Sequence, residues 1–261
     1  MKDKTRAINN GWEAIFKKYE IDKHDWRKPF YLTAPEIKTA CQDLKETGEK
    51  EVRVLCAQTS QEKRPDLFKK LGLFILPVKN GSYVIIKGEG YVDIPPIKEE
   101  AKIYESKLGF RPITFSIGNS EMQHVDYAYA VSMVRDFMED DSLRLTIRGR
   151  KFTPEFSFRV GQFNITAKSV QTEVDAGYEG FDRIVLIEAK NSETTNTIIR
   201  QLYYPYRQWK IRTKNAKPIS TVFFEKRGKD EYHFWEFVFD DEEDYNSICL
   251  KKSARYKLRS E

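Results

Sequence analysis

The stretch that decides how this chain is read is Gln171-Thr172-Glu173-Val174-Asp175-Ala176-Gly177-Tyr178-Glu179-Gly180-Phe181-Asp182-Arg183-Ile184-Val185-Leu186-Ile187-Glu188-Ala189-Lys190. Side chains alternate along a strand, so Ile184, Leu186, Glu188 and Lys190 share one face while Val185, Ile187 and Ala189 share the other. Both faces begin apolar, which is the pattern of a strand covered on both sides. Such a strand ordinarily stays apolar or stops. This one ends in a carboxylate and an ammonium two residues apart, pointing the same way. Burying those charges costs several kcal/mol unless they are paired or bind a metal. Asp175 is expected to end the preceding strand, and a hairpin through 178–182 to bring it beside Glu188, where two bare carboxylates repel.

A divalent cation resolves that conflict. Magnesium takes hard oxygen ligands, commonly one or two carboxylates, and keeps water and substrate phosphate oxygens. The ammonium of Lys190 then orients the attacking water or helps to deprotonate it. With a phosphodiester as substrate these parts match metal-dependent hydrolysis. Glu173 shares a strand face with Asp175 and is a candidate for a supporting or second-metal role. Asp182 competes with Asp175 but falls in the expected turn. Glu121, in the first turn of its helix, is a further candidate, although the helix dipole favours a carboxylate there without any catalytic duty.

Working outward, Ser120 and Gln123 have the spacing of a capping box, so a helix is expected from Glu121 to about Phe137. Met122, Val125, Tyr129, Met133, Val134 and Phe137 give it one apolar face. Strands are expected over 143–147, 156–160, 165–175 and 184–190, with Gly161, Gly177 and Gly180 at turns. A helix from about Thr194 should be kinked or split by Pro205. Residues 219–224 read as a buried strand. The aromatic runs 232–239 and 245–250 read as edge strands or hairpins. The expected class is therefore mixed α+β, a mixed sheet flanked by helices.

Asp175 followed by Glu188-Ala189-Lys190 resembles the PD-(D/E)XK nuclease motif, with Val174 where that pattern often has proline. The order helix, three strands, helix, strand over about 121–224 also resembles the core of that superfamily, and the chain's size is most similar to a type II restriction endonuclease. The resemblance implies that Asp175 and Glu188 bind magnesium, that the main-chain carbonyl of Ala189 adds a ligand, and that Lys190 serves the attacking water. It also implies double-stranded DNA as substrate and, for a palindromic site, a homodimer. The alternatives are a repair or junction nuclease with the same chemistry, and a non-enzymatic DNA-binding regulator. Arg148, Arg150, Lys151, Lys168, Arg200 and Arg207 are the candidates for phosphate contacts. Tyr203, Tyr204, Tyr206 and Trp209 could stack on bases, but their helical spacing reads as core.

Toward the amino end, Thr33 caps an expected helix that opens at Ala34-Pro35 and runs to about Leu44, with Gly48 as its breaker. A strand is expected over 52–56, a helix over 64–70 closed by Gly72, and two short strands over 73–76 and 83–86 joined through Asn80-Gly81. Helix, helix, hairpin resembles a winged helix, a DNA-reading or dimerisation unit. Pro95-Pro96 breaks the chain, and a helix-prone stretch follows over 98–107. The expected division is 1–113 for the winged-helix-like region and 114–261 for the catalytic domain.

The composition is that of a globular chain: 261 residues, 33% charged, 40% hydrophobic. A net charge of +5 permits a nucleic acid partner without demanding it. The acidic run 240–244 reads as a solvated loop. Cys41, Cys56 and Cys249 are odd in number and lack CxxC spacing, and His24, His124 and His233 are far apart, so neither a disulfide framework nor a zinc cage is expected. With no apolar run of bilayer length and no signal core, the expectation is a cytoplasmic protein away from membranes.

Overall fold

The structure is a computed structural model describing residues 2–259. Its amino-terminal part runs α1 (Lys2–Tyr19), β1 (Phe30–Thr33), α2 (Ala34–Ala40), α3 (Thr47–Lys50), α4 (Val52–Leu55), α5 (Asp66–Leu71), β2 (Leu73–Lys79) and β3 (Ser82–Lys87). The three strands form an antiparallel sheet in the order β1-β3-β2. Helix, strand, helices and hairpin, with the first strand laid against the hairpin, is the arrangement of a winged helix. Its core gathers Trp12, Phe16, Leu32, Ile37, Phe68 and Ile85. The cap at Thr33 forms as a full capping box: Glu36 N–H donates to Thr33 Oγ1 and Thr33 N–H donates to Glu36 Oε2 at 2.7 Å. Gly72, at φ +67°, closes α5.

Two local expectations fail here. Of the expected strand 52–56, residues 52–55 form the one-turn helix α4 instead: Val52 and Leu55, three apart, are buried while Arg53 and Val54 are exposed. Packing against α1, where Trp12 Nε1 donates to the carbonyl of Leu55 at 3.0 Å, overrides the strand propensity of valine. Gly48 does not break a helix but lies within α3, where a Cβ would stand 3.0 Å from the Cβ of Ala7 on α1.

The rest comprises β4 (Tyr91–Asp93), β5 (Lys102–Tyr104), α6 (Glu121–Ala130), α7 (Met133–Met138), β6 (Arg144–Phe152), β7 (Phe156–Val160), β8 (Phe163–Ala167), β9 (Gln171–Glu179), β10 (Ile184–Lys190), β11 (Asn196–Ile198), α8 (Arg200–Arg212), β12 (Ile219–Arg227), β13 (Glu231–Phe239) and β14 (Ile248–Leu258). Seven strands form a mixed sheet in the order β5-β14-β13-β12-β10-β9-β6, parallel at β10–β12 and at β14–β5. The parallel pair β10–β12 is joined through α8. Helices α6 and α7 cover one sheet face, packing Val125, Val134 and Phe137 against Val185, Ile187 and Phe224. On the other face Leu202 of α8 meets Phe223 and Trp235, with Ile94 and Ile97 beside them. This two-sided cover is why β10 is apolar on both faces.

The helix expected over 121–137 is broken at Ser132, which adopts φ +69°. The carbonyls freed at the break are taken by side chains: Tyr104 Oη donates to Val131 O at 3.1 Å and Arg135 Nη1 to Tyr129 O at 3.3 Å. Met122, expected on the apolar face, is 41% exposed. Residues 98–107 contain no helix but supply β5, which pairs with β14. Residues 165–175 split into β8 and β9 around Ser169, at φ +54°. The turn after β9 is tighter than expected, so Asp175 and Gly177 sit within the strand. Residues 194–198 hold β11 where helix was expected, and Pro205 leaves α8 as one element. Strands β13 and β14 are interior; the edges are β5 and β6.

The domain boundary expected at 113/114 also moves. Strand β4 pairs with β11 in a two-stranded sheet of its own and β5 joins the large sheet beside β14, so both pair with strands beyond 113 and the division by strand pairing falls after β3. The two parts share a core, since Phe74, Leu76, Val84 and Ile86 of the winged-helix-like unit pack with Phe156, Phe158, Tyr204 and Tyr245.

Candidate active site

Strands β9 and β10 run antiparallel with Ile187 opposite Ala176, so the next rung sets Glu188 beside Asp175. Asp175 Oδ2 accepts a hydrogen bond from the Ala189 N–H at 2.8 Å, which ties the two strand segments together at the site. Glu188 Oε1 accepts from Lys190 Nζ at 2.5 Å and from Gln201 Nε2 in the first turn of α8. Lys190 Nζ also donates to the carbonyl of Ala189 at 2.9 Å and stands 4.0 Å from Glu121 Oε1. Strand β10 thus delivers the carboxylate and the ammonium, β9 the second carboxylate, and the start of α6 a third. They line one cleft of about 510 Å³.

The electrostatics follow from burial. The Glu188 side chain keeps 11% of its exposure, and its carboxyl is pushed up to about 7 by burial, with the charge of Asp175 adding to the rise and Lys190 opposing it. Burial likewise raises Asp175, against the Ala189 N–H and the charge of Lys190, and raises Glu121. For Lys190 burial disfavours the cation, yet Glu188, Glu121 and Asp175 outweigh it and its ammonium is held above the ordinary value. Three carboxylates thus face one lysine, and they resist ionising together.

Among the described residues no three His, Cys, Asp or Glu converge as a metal cluster. Asp175 and Glu188 do adjoin, with the Ala189 carbonyl beside them. Two carboxylates and one carbonyl, all hard oxygens, fit a cation of the magnesium type, which completes its shell with water and substrate oxygens.

The remaining expectations divide. Arg150 lines the cleft and holds Glu173 through an Nε to Oε2 contact of 3.0 Å, and Arg200 lines it from the start of α8. Arg148 does not line it: its guanidinium pairs with Asp126. Lys151 lies exposed on the edge strand β6, and Lys168, beyond β8, pairs with Glu155 at 2.8 Å. Arg207 is corrected outright. It is 9% exposed, donates to Tyr203 Oη at 2.9 Å and to the carbonyl of Glu242, and is core rather than a phosphate contact. Asp182 is exposed in the β9–β10 turn and is not among the cleft residues. Tyr203, Tyr204 and Tyr206 are buried, as their spacing indicated.

Sequence reading missed Gln201, whose amide meets Glu188 from another element thirteen residues on, and Arg53, which reaches the cleft from α4. The only local signal for Gln201 was its place at the start of the helix that follows the Glu-Ala-Lys strand. Arg53 carried none, because its segment read as a strand.

The chain belongs to a family described as a domain of unknown function, DUF6997, whose model matches residues 86–257, and a second such model, DUF6996, matches residues 9–85. The two matches meet within β3, two residues before its end and so close to where strand pairing divides the molecule. No curated protein and no solved structure matches the chain.

Proposed function

We propose that this protein is a magnesium-dependent endonuclease that cuts double-stranded DNA at a specific short sequence, in the manner of a type II restriction enzyme. The observation that carries the reading is the convergence of Asp175, Glu188 and Lys190 in one cleft, with a Glu188 carboxyl raised to about 7. Asp175, Glu188 and the carbonyl of Ala189 would hold the cation. Bound magnesium polarises the phosphoryl oxygen and lowers the pKa of its water. Lys190, kept protonated by its acidic neighbours, orients the attacking water through Nζ and faces the charge that develops on the phosphate. Gln201 fixes the Glu188 carboxylate, and Arg150 and Arg200 supply positive charge to the phosphate backbone.

A palindromic target would call for a two-fold homodimer with one site on each strand. Among the described residues no helix is long and apolar enough to cross a membrane.

The test is incubation of the purified chain with unmethylated phage DNA in magnesium or in EDTA, followed by sequencing of fragment ends. Discrete magnesium-dependent fragments sharing one end sequence support the reading. A smear, or cleavage that follows DNA structure, would replace it with a repair or junction nuclease. Binding without cutting would replace it with a regulator acting through the winged-helix-like unit.

A further inference from the structure

Part of the cleft lining is not made by the large sheet. It comes from the amino-terminal unit, whose α4 and the loop after it contribute Arg53 and Ala57 to the lining. Arg53 projects freely, 89% exposed, with Glu51 3.6 Å away as its one ion-pair neighbour among the described residues. The charge of Lys63, from the same unit, reaches Glu121.

That part of the lining is fastened rather than loosely apposed. Gln61 N–H donates to Asn196 Oδ1 at 2.7 Å, Asn196 Nδ2 donates to Glu62 Oε1 at 2.7 Å, and Ile198 N–H donates to the Thr59 carbonyl at 3.1 Å. These bonds join the loop after α4 to β11, two residues before Arg200. Arg200 itself lines the cleft with a buried Nε that has no hydrogen-bond partner among the described residues.

We infer that Arg53 and Arg200 together hold a phosphate of the substrate strand adjacent to the one attacked, so that the strand passes between the two units and the amino-terminal unit completes the active site. The inference rests on the nuclease reading above. A nucleic acid strand brings phosphate oxygens into the cleft that both arginines line, and a guanidinium donates to two phosphate oxygens in one plane where an ammonium offers a point charge.

The experiment measures binding of a duplex oligonucleotide in EDTA at several salt concentrations, for the wild-type chain and for Arg53→Ala, Arg200→Ala, the double variant of these two, Arg53→Lys and the control Lys38→Ala, which lies outside the cleft. Each lost phosphate contact should lower the slope of log affinity against log salt by about 0.9. Arg53→Ala and Arg200→Ala should each lower the slope by part of that amount, because they share one phosphate, and the double variant by the whole of it, with magnesium-dependent cutting weakened through KM. Arg53→Lys should retain the slope, and Lys38→Ala should match wild type. Arg53 is exposed, so its variants are expected to fold, which thermal melting checks. Unchanged slopes in both alanine variants, with wild type binding and cutting, would overturn the inference and leave the nuclease reading in place. A wild-type chain that neither binds nor cuts DNA would remove both.

Discussion

Lys190 Nζ lies 2.5 Å from Glu188 Oε1, the two side chains standing one above the other on a single face at the end of β10. The contact explains how a strand covered on both sides tolerates two charges. It also leaves the other Glu188 oxygen and the Asp175 carboxylate with more negative charge than one lysine neutralises. A pair of this kind is expensive to break from either side.

Glu188→Gln should therefore abolish cutting, by at least about 100-fold, while leaving DNA binding intact. Lys190→Ala should do the same, and Lys190→Arg should not rescue it, since a planar guanidinium cannot occupy the place of a compact ammonium. Single-turnover cleavage beside gel-shift binding in EDTA reads both. Equal loss of binding and cutting would assign the residues to structure instead.

Gln201→Ala removes the amide that fixes Glu188 from α8. Groups that orient a ligand commonly change metal affinity or activity by about 10- to 100-fold. The expected result is a higher magnesium concentration for half-maximal cutting, with stability close to wild type. A titration of rate against magnesium tests this.

Gly177 lies within β9, where a Cβ would stand 2.7 Å from Ile147 Cβ and 3.2 Å from Leu186 Cδ2. The Ile147 Cβ is fixed to the backbone of β6 and cannot give way as a side-chain end could, and both neighbours are buried in one cluster. Gly177→Ala should destabilise the fold by about 1–3 kcal/mol. Urea unfolding measures it, and an unchanged midpoint would show that β6 and β9 are looser than the packing indicates.

His233 is 4% exposed on β13, and burial first, then the charge of Arg227, holds its imidazole down at about 4. The unfolded chain takes up the proton near 6.5, so folding favours the neutral ring. That contribution is fully present above about pH 6.5 and is lost as pH falls toward 4, up to about 3 kcal/mol for a shift of this size. In His233→Phe the loss should shrink by that amount. Denaturant unfolding of both chains between pH 7 and 4 gives the comparison, and parallel curves would contradict it.

The sequence by itself determined what depends on neighbours along the chain. The two-sided apolar run ending in Glu188 and Lys190, the cap at Thr33, the Asn80-Gly81 hairpin and the helix start after Ser120 were legible because their causes act within a few residues. Tertiary structure decided the rest. Residues 52–55 are helical because Leu55 must meet Trp12, which no local pattern announces. Residues 102–104 are a strand because β14 offers them an open edge. Arg207, a plausible phosphate contact by type, is core because α8 turns it toward Tyr203 and Glu242. The cleft likewise has two authors. Asp175, Glu188 and Lys190 could be read from adjacent strands, but Gln201 and Arg53 reach it only through the packing of α8 and of the amino-terminal unit. Alternation along a strand is written in the chain; which distant surfaces close over it is settled by the burial of apolar area across the whole molecule.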